Sequence, residues 1–368
     1  MNEEKKRILK MVETGRLTVE EALKLLEELD KSQKAMEKKQ EEMMGELSTV
    51  VHFEEAKKEH SSSGAKVQSA KEKILDFVDT AIKKIKDFDL DFNFGHSVEI
   101  SHIFHQSDVY LKDIDIDISN GSVQVIPWDQ NDVRVECEAK VYRVETVEEA
   151  RNIFLKDVLF SIGGERLRFS TQQKWMKINA KIYIPKTDYD HVKIRMFNGP
   201  IASENLTVDN YKVKTANGKI DMIAIKSKSV EAETANGKIT VENSVIEDFE
   251  AETINGSINI EGDFRKVDVH SFNGDIRCST MSTRCEFIEA KATTGSIKLI
   301  LPEQSAVSGE LRSNLGGFDI DFDGIQVIEE KSEVVQKYMS FKPQIHNHLI
   351  TRVLADTKTG SIKLKKRK

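Results

Sequence analysis

An Asn-Gly pair recurs at 198–199, 217–218, 236–237, 255–256 and 273–274, in steps of 19, 19, 19 and 18 residues, and Thr294-Gly295 continues the series after 21. A fixed short period constrains a chain more than composition does, because each unit must meet the same neighbours as the next. Within the series the hexapeptide TANGKI stands twice, at Thr215–Ile220 and Thr234–Ile239. Aligned on the Asn, the units form columns. Two residues before it stand Met196, Thr215, Thr234, Thr253, Ser271 and Ala292; four before stand Ile194, Val213, Ala232, Ala251, Val269 and Ala290. Three residues after it stand Ile201, Ile220, Ile239, Ile258, Ile276 and Ile297. Charged residues fall between, as at Lys214, Glu233, Glu252, Lys219, Lys238 and Asp275.

The frame extends outward to Asn120-Gly121, with Ile114, Ile116 and Ile118 before it, and to Thr359-Gly360, with Ile362 and Leu364 after it. Degenerate copies are expected near Gly164 and Leu315-Gly316. An Asn-Gly pair between alternating apolar residues is also the strongest short-range hairpin signal, and a β-meander would show the same alternation. Two features favour stacking. The residue count per unit is nearly constant, as equal rungs require, and a column of Asn suits a ladder of side-chain amides between stacked strands. The expectation is a mainly β chain: a parallel β-helix (β-solenoid) of roughly 19-residue coils, preceded by a small α-helical N-terminal module. Its corners are assigned to Asn120, Gly121, Asn198, Gly199, Asn217, Gly218, Asn236, Gly237, Asn255, Gly256, Asn273 and Gly274.

Residues 3–30 read as two short helices. Ile8, Met11 and Val12 stripe the first, Gly15 suits its C-terminal cap, and Thr18 with Glu21 forms a capping box for the second. So small a pair buries little surface alone. Leu17, Leu23, Leu26 and Leu29 are therefore expected to dock a second copy, the rest of the same chain or a protein partner. Lys31–Glu46, rich in Lys, Glu and Gln, reads as a solvated helical extension. The organisation is 1–46 helical module, 47–70 linker, 71–95 amphipathic capping helix (Ile74, Phe77, Val78, Ala81, Ile82, Ile85) and 96–368 β domain with a short inserted helix near 146–156.

The run V-x-A-x-T-x-N-G-x-I-x-V from Val192 to Leu299 resembles the bacterial "putative adhesin" domain of unknown function, and Gly121–Asp129 followed by Val133–Cys137 looks like that domain's opening. Glu3–Leu29, with Gly15-Arg-Leu-Thr-Val-Glu-Glu-Ala22, resembles the SHOCT-like helical module that precedes it in YvlB/LiaX-type proteins of Gram-positive bacteria. The resemblance implies a β-solenoid, a role in the cell-envelope stress response and antimicrobial-peptide resistance, and association of some members with the membrane or cell surface. It supplies no catalytic residues.

A net charge of −7 over 368 residues argues against general nucleic-acid binding. Cys137, Cys278 and Cys285 lack metal spacing and read as buried thiols. With no signal peptide in the sequence and no apolar run of spanning length, the chain is expected to be cytoplasmic, with peripheral membrane or envelope-ligand contact open to it. The basic Lys363–Lys368 run could attract anionic lipid or merely aid solubility.

Asp319, Asp321, Asp323 and Glu330 match the calcium-loop pattern D-x-D-x-D-G-x5-E. Ile320 and Phe322 alternate with the acids as on a strand, so a solvent face explains them more simply. His102 with His105, and His346 with His348, lack a third ligand in sequence. No cofactor motif and no catalytic motif is present. The leading expectation is a non-enzymatic scaffold for protein or envelope-ligand binding in envelope stress. The alternatives are a polysaccharide-acting lyase or hydrolase, for which Glu231, Glu233, Glu250 and Glu252 are the nearest carboxylate cluster, or a surface adhesin.

Overall fold

The computed structural model describes residues 3–48, 96–171, 173–333, 335–344 and 349–367. Of the linker and amphipathic helix expected over 47–95, residues 47 and 48 belong to a helix instead, and 49–95 lie outside the described residues, as do His346 and His348.

The chain is mainly β with an N-terminal helical part. Its 22 described strands belong to one continuous hydrogen-bonded sheet. Strands of successive repeats pair in parallel and in register. Lys226–Asn236 lies beside Thr207–Asn217, so that Ala232 faces Val213, Thr234 faces Thr215 and Asn236 faces Asn217. Ile239–Asn255 then matches Ile258–Asn273, with Ile239 opposite Ile258. In-register parallel pairing at a one-repeat offset puts like residues over like, which is why the columns exist. The isoleucine column and the column four residues before the Asn both point inward, and Ile220, Ile239, Ile258, Val213, Ala232 and Ala251 are buried in one contiguous core.

The regular rise holds only through the middle of the stack. At the N-terminal end, Asp113–Trp128 slots between strands that follow it in sequence: Arg166–Thr171 and Met176–Pro185 on one side, Asp188–Asn198 and Ile201–Glu204 on the other. At the C-terminal end, Ile350–Thr357 and Ile362–Arg367 insert between Phe287–Ala292 with Ile297–Pro302 and Ala306–Ser313 with Phe318–Asp321. Both ends also carry antiparallel strands, such as Ser97–Gln106 on Val133–Tyr142 and Ile325–Ser332 on Lys337–Pro343. The expectation of uniform 19-residue coils in sequence order is corrected accordingly. Gly164 is a hairpin residue between Val158–Gly163 and Arg166–Thr171, not a rung corner, whereas Gly316 joins the stacked glycines.

Helix α1 (Glu3–Glu13) ends at Gly15, whose φ of 66° allows the Arg16 N–H to reach the Met11 carbonyl at 2.8 Å. Helix α2 (Val19–Ser48) opens on the capping box: the Thr18 N–H donates to Glu21 Oε2 at 2.8 Å and the Glu21 N–H to Thr18 Oγ1 at 3.2 Å. Residues 31–46 are therefore part of one long helix rather than an appendage. Helix α3 (Val147–Asp157) is the short inserted one, capped by Thr146, which accepts from the Glu149 N–H. The three cysteines are buried free thiols.

A second corner escapes the Asn-Gly pattern. Asn205, Ala224 and Asn243 occupy it with φ of 54°, 55° and 52°. Asn adopts this left-handed conformation readily and alanine does not. Ala224→Gly is expected to stabilise the protein by about 0.5–1 kcal/mol, read as a higher urea midpoint.

Candidate functional site

Each letter of TANGKI has a separate structural task. The threonine side chain points inward, where a hydroxyl needs a partner. Thr234 Oγ1 donates to the Gly218 carbonyl at 2.9 Å, Thr253 Oγ1 to Gly237 at 2.9 Å and Ser271 Oγ to Gly256 at 2.9 Å. The asparagines form a one-directional ladder: Nδ2 of Asn198, Asn217, Asn236, Asn255 and Asn273 each donates to Oδ1 of the asparagine one rung back, over 2.7–2.9 Å. The ladder starts where Asn120 donates to the Lys174 carbonyl and ends where Thr294 Oγ1 donates to Asn273 Oδ1.

The glycines let the rungs close up. A Cβ at Gly199 would overlap the Gly121 carbonyl, and the same holds for Gly218 on Gly199, Gly237 on Gly218, Gly256 on Gly237 and Gly274 on Gly256. Gly295, Gly360 and Gly316 continue the column. Lysine faces solvent, and the isoleucine fills the core. Asn236→Ala removes a donor from Asn217 and an acceptor from Asn255. It is expected to cost about 1–2 kcal/mol in chemical unfolding.

The alanine was the letter without an evident purpose. Residues one before the Asn point out of the stack, and Phe197, Ala216, Ala235, Ile254 and Phe272 form a second apolar cluster with Met36, Met43 and Leu47 of α2. The helix thus lies over the corner column. Sequence reasoning missed this contact because the lysines and glutamates of 31–46 outnumber the apolar residues. Met36, Met43 and Leu47, spaced i, i+7 and i+11, were the available signal.

Of the expected docking leucines, Leu17 and Leu29 are buried with Ile8, Ala22 and Leu25, and Leu26, Leu315 and Val335 pack on them. Leu23 instead faces solvent, 55% exposed. The helical pair therefore docks on the far end of its own chain.

Beside the corner runs a charged face. Lys212 Nζ reaches Glu231 at 2.6 Å; Lys214 Nζ reaches Glu233 at 2.8 Å, Glu231 at 3.4 Å and Glu46 of α2 at 3.4 Å; and Lys39 of α2 reaches Glu252 at 3.0 Å. Glu231, Glu233 and Glu252 are thus held by lysines, and Glu250 stands in the same register beside Glu231. Burial, reinforced by the adjacent Glu231, lifts the Glu233 carboxyl to about 7. Between its ordinary 4.5 and about 7 the folded chain keeps a proton that the unfolded chain has lost, so stability falls as pH rises through that window. Thermal unfolding at pH 5 and pH 8 should show this loss, and Glu233→Gln should flatten it.

The acidic loop does not assemble. Asp319 and Asp321 both face Lys365, at 2.8 and 3.8 Å, and Asp323 pairs with Lys366 at 2.6 Å. Glu330 sits on the Ile325–Ser332 edge strand opposite Met339. Among the described residues no three His, Cys, Asp or Glu are placed to share a metal ion. His102 packs edge-on against Phe104, and His105 pairs with Asp132 at 3.1 Å. In the basic C-terminal run Ile362–Arg367 is a paired strand, and Lys365, Lys366 and Arg367 contact Asp319, Asp323 and Glu261. No helix among the described residues is long and apolar enough to cross a membrane.

Residues 111–353 match the family described as Toastrack DUF4097, and residues 3–34 match a SHOCT-like domain. The chain is 46% identical over 366 residues to an uncharacterised Bacillus subtilis protein, YvlB, covering 99% of each. Among solved structures, a "putative adhesin" from Bacteroides fragilis is 16% identical, with 73% of this chain and 97% of that one covered and a TM-score of 0.43. A "putative lipid binding protein" from Parabacteroides distasonis is 10% identical over the same shares, with a TM-score of 0.38.

Proposed function

The chain belongs to the Toastrack DUF4097 family, and from that premise we propose that it is a non-enzymatic protein of the bacterial cell-envelope stress response. In this reading the stacked rungs of the β domain, residues 96–368, regular at about 19 residues only from Asn198 to Asn273, present a rigid face to a protein or envelope ligand. Residues 1–46 are its docking module. The observation that carries the reading is the full structural use of the repeat. The Thr hydroxyls, Asn amides and Gly close approaches are all spent between rungs, and Glu231, Glu233 and Glu252 are tied to lysines. What remains for function is surface, which suits binding better than catalysis.

The protein works on the inner side of the envelope, in the cytoplasm or at the membrane surface. Quantitative fractionation of the host bacterium before and after a cell-wall antibiotic tests this. The expected result is a rise in total protein with a share moving to the membrane fraction. An amount and distribution unchanged by stress would overturn the reading.

A further inference from the structure

The contact between α2 and the stack follows a fixed pitch. Strands stack about 4.8 Å apart and a helix rises about 1.5 Å per residue, so about three helix residues pass each rung. Four polar contacts keep that pitch: Glu28 with Asn314, Met36 Sδ with Asn273, Lys39 with Glu252 and Glu46 with Lys214. In the glycine column the rungs run Gly316, Gly360, Gly295, Gly274, Gly256, Gly237, Gly218, so Asn314 and Lys214 lie six rung steps apart. Six steps span about 29 Å, and the eighteen residues from Glu28 to Glu46 (46 − 28) rise about 27 Å. The helix runs along the stack axis, against the order of the central repeats.

The underlying groove is built for such a helix. Its floor of Phe197, Ala216, Ala235, Ile254 and Phe272 is apolar, and two alanines adjoining Met43 and Leu47 leave room for bulky side chains. Its charged wall changes sign along its length, with Glu252 meeting Lys39 and Lys214 meeting Glu46. A helix laid in the opposite direction would bring like charges together, so the groove specifies orientation as well as position.

We propose that this stripe is a helix-docking groove whose occupant is α2, held here by its own chain and exchangeable for α2 of a second copy. Every contact made within the chain is available between two copies, the condition for exchange of an identical element. The intrachain helix holds the groove through its high effective concentration, and weakening that helix opens the groove to the other copy. The inference rests on the docking role proposed above, but its test reads exchange in purified protein, so it can fail while the fractionation result stands.

The test titrates a fluorescent peptide of residues 19–48 into the full chain and into a full-length Met43→Glu/Leu47→Glu variant. The variant should bind at least tenfold more tightly than the unaltered chain, and adding Ala235→Arg to it should abolish binding. A peptide with Lys39→Glu and Glu46→Lys should bind at least fivefold more weakly. Where the double variant alters melting of the stack, full-length Lys39→Glu replaces it with the same expectation. No gain in affinity in a variant of unchanged melting, or binding indifferent to Ala235→Arg, overturns the proposal.

Discussion

Gly237→Ala should destabilise the protein by on the order of 4 kcal/mol, because the added methyl would overlap the Gly218 carbonyl rather than a movable side chain. The backbone of that rung would have to lift away. Doing so breaks the hydrogen bond from the Gly218 N–H to the Asn236 carbonyl and the bond that Thr234 donates to the Gly218 carbonyl. Gly45→Ala in α2 is the matched control. A Cβ there meets open space, and the change should stabilise the helix by about 0.5–1 kcal/mol. Paired urea titrations separate the two. Equal small effects would mean that the rungs are not in close contact at the corner.

Ile239→Ala should cost about 3 kcal/mol, with a spread set by how far the core can collapse around the missing atoms. The side chain is fully buried and sits in register between Ile220 and Ile258, both buried as well. Rungs above and below pin its neighbours, so relaxation into the void is limited. Lys238→Ala next to it removes an exposed side chain and should move stability by less than about 0.5 kcal/mol. The contrast measures core packing directly, since both changes fall on the same rung.

The middle of the fold was legible because in-register parallel pairing demands the same chemistry at the same place in each unit. Thr234 must donate to a glycine carbonyl, Asn236 must join the ladder, and Ile239 must fill the core; each demand leaves a column. The ends were not legible for the same reason. Asp113–Trp128 and Ile350–Arg367 obey the same columns as their neighbours, and nothing in a column records the order in which rungs are threaded. Ala224 gave no signal at all, since its left-handed backbone runs against its residue type.

The candidate interaction face was less legible than the core. The floor of the α2 groove varies from Phe197 through Ala216 to Ile254, because a helix packs on shape across several rungs rather than on one residue per rung. Its counterpart on α2 was hidden among lysines and glutamates whose exposed pairs, such as Lys38 with Glu42, read as a solvated surface. The acidic run at Asp319–Asp323 matched a calcium loop, but its alternation with Ile320 and Phe322 already pointed to a strand's solvent face; its lysine partners, more than forty residues later, were out of view.

The central claim is that the repeated Asn-Gly pairs are corners shared between stacked rungs, not hairpin turns facing water. Amide hydrogen exchange by NMR tests it at the corners themselves. The N–H groups of Gly199, Gly218, Gly237 and Gly256 donate to the Asn carbonyl of the next rung at 2.7–3.0 Å, so their exchange should be slowed nearly as far as that of the core strands. Exchange of these four glycines at the rate of exposed turn amides would contradict the stacked architecture.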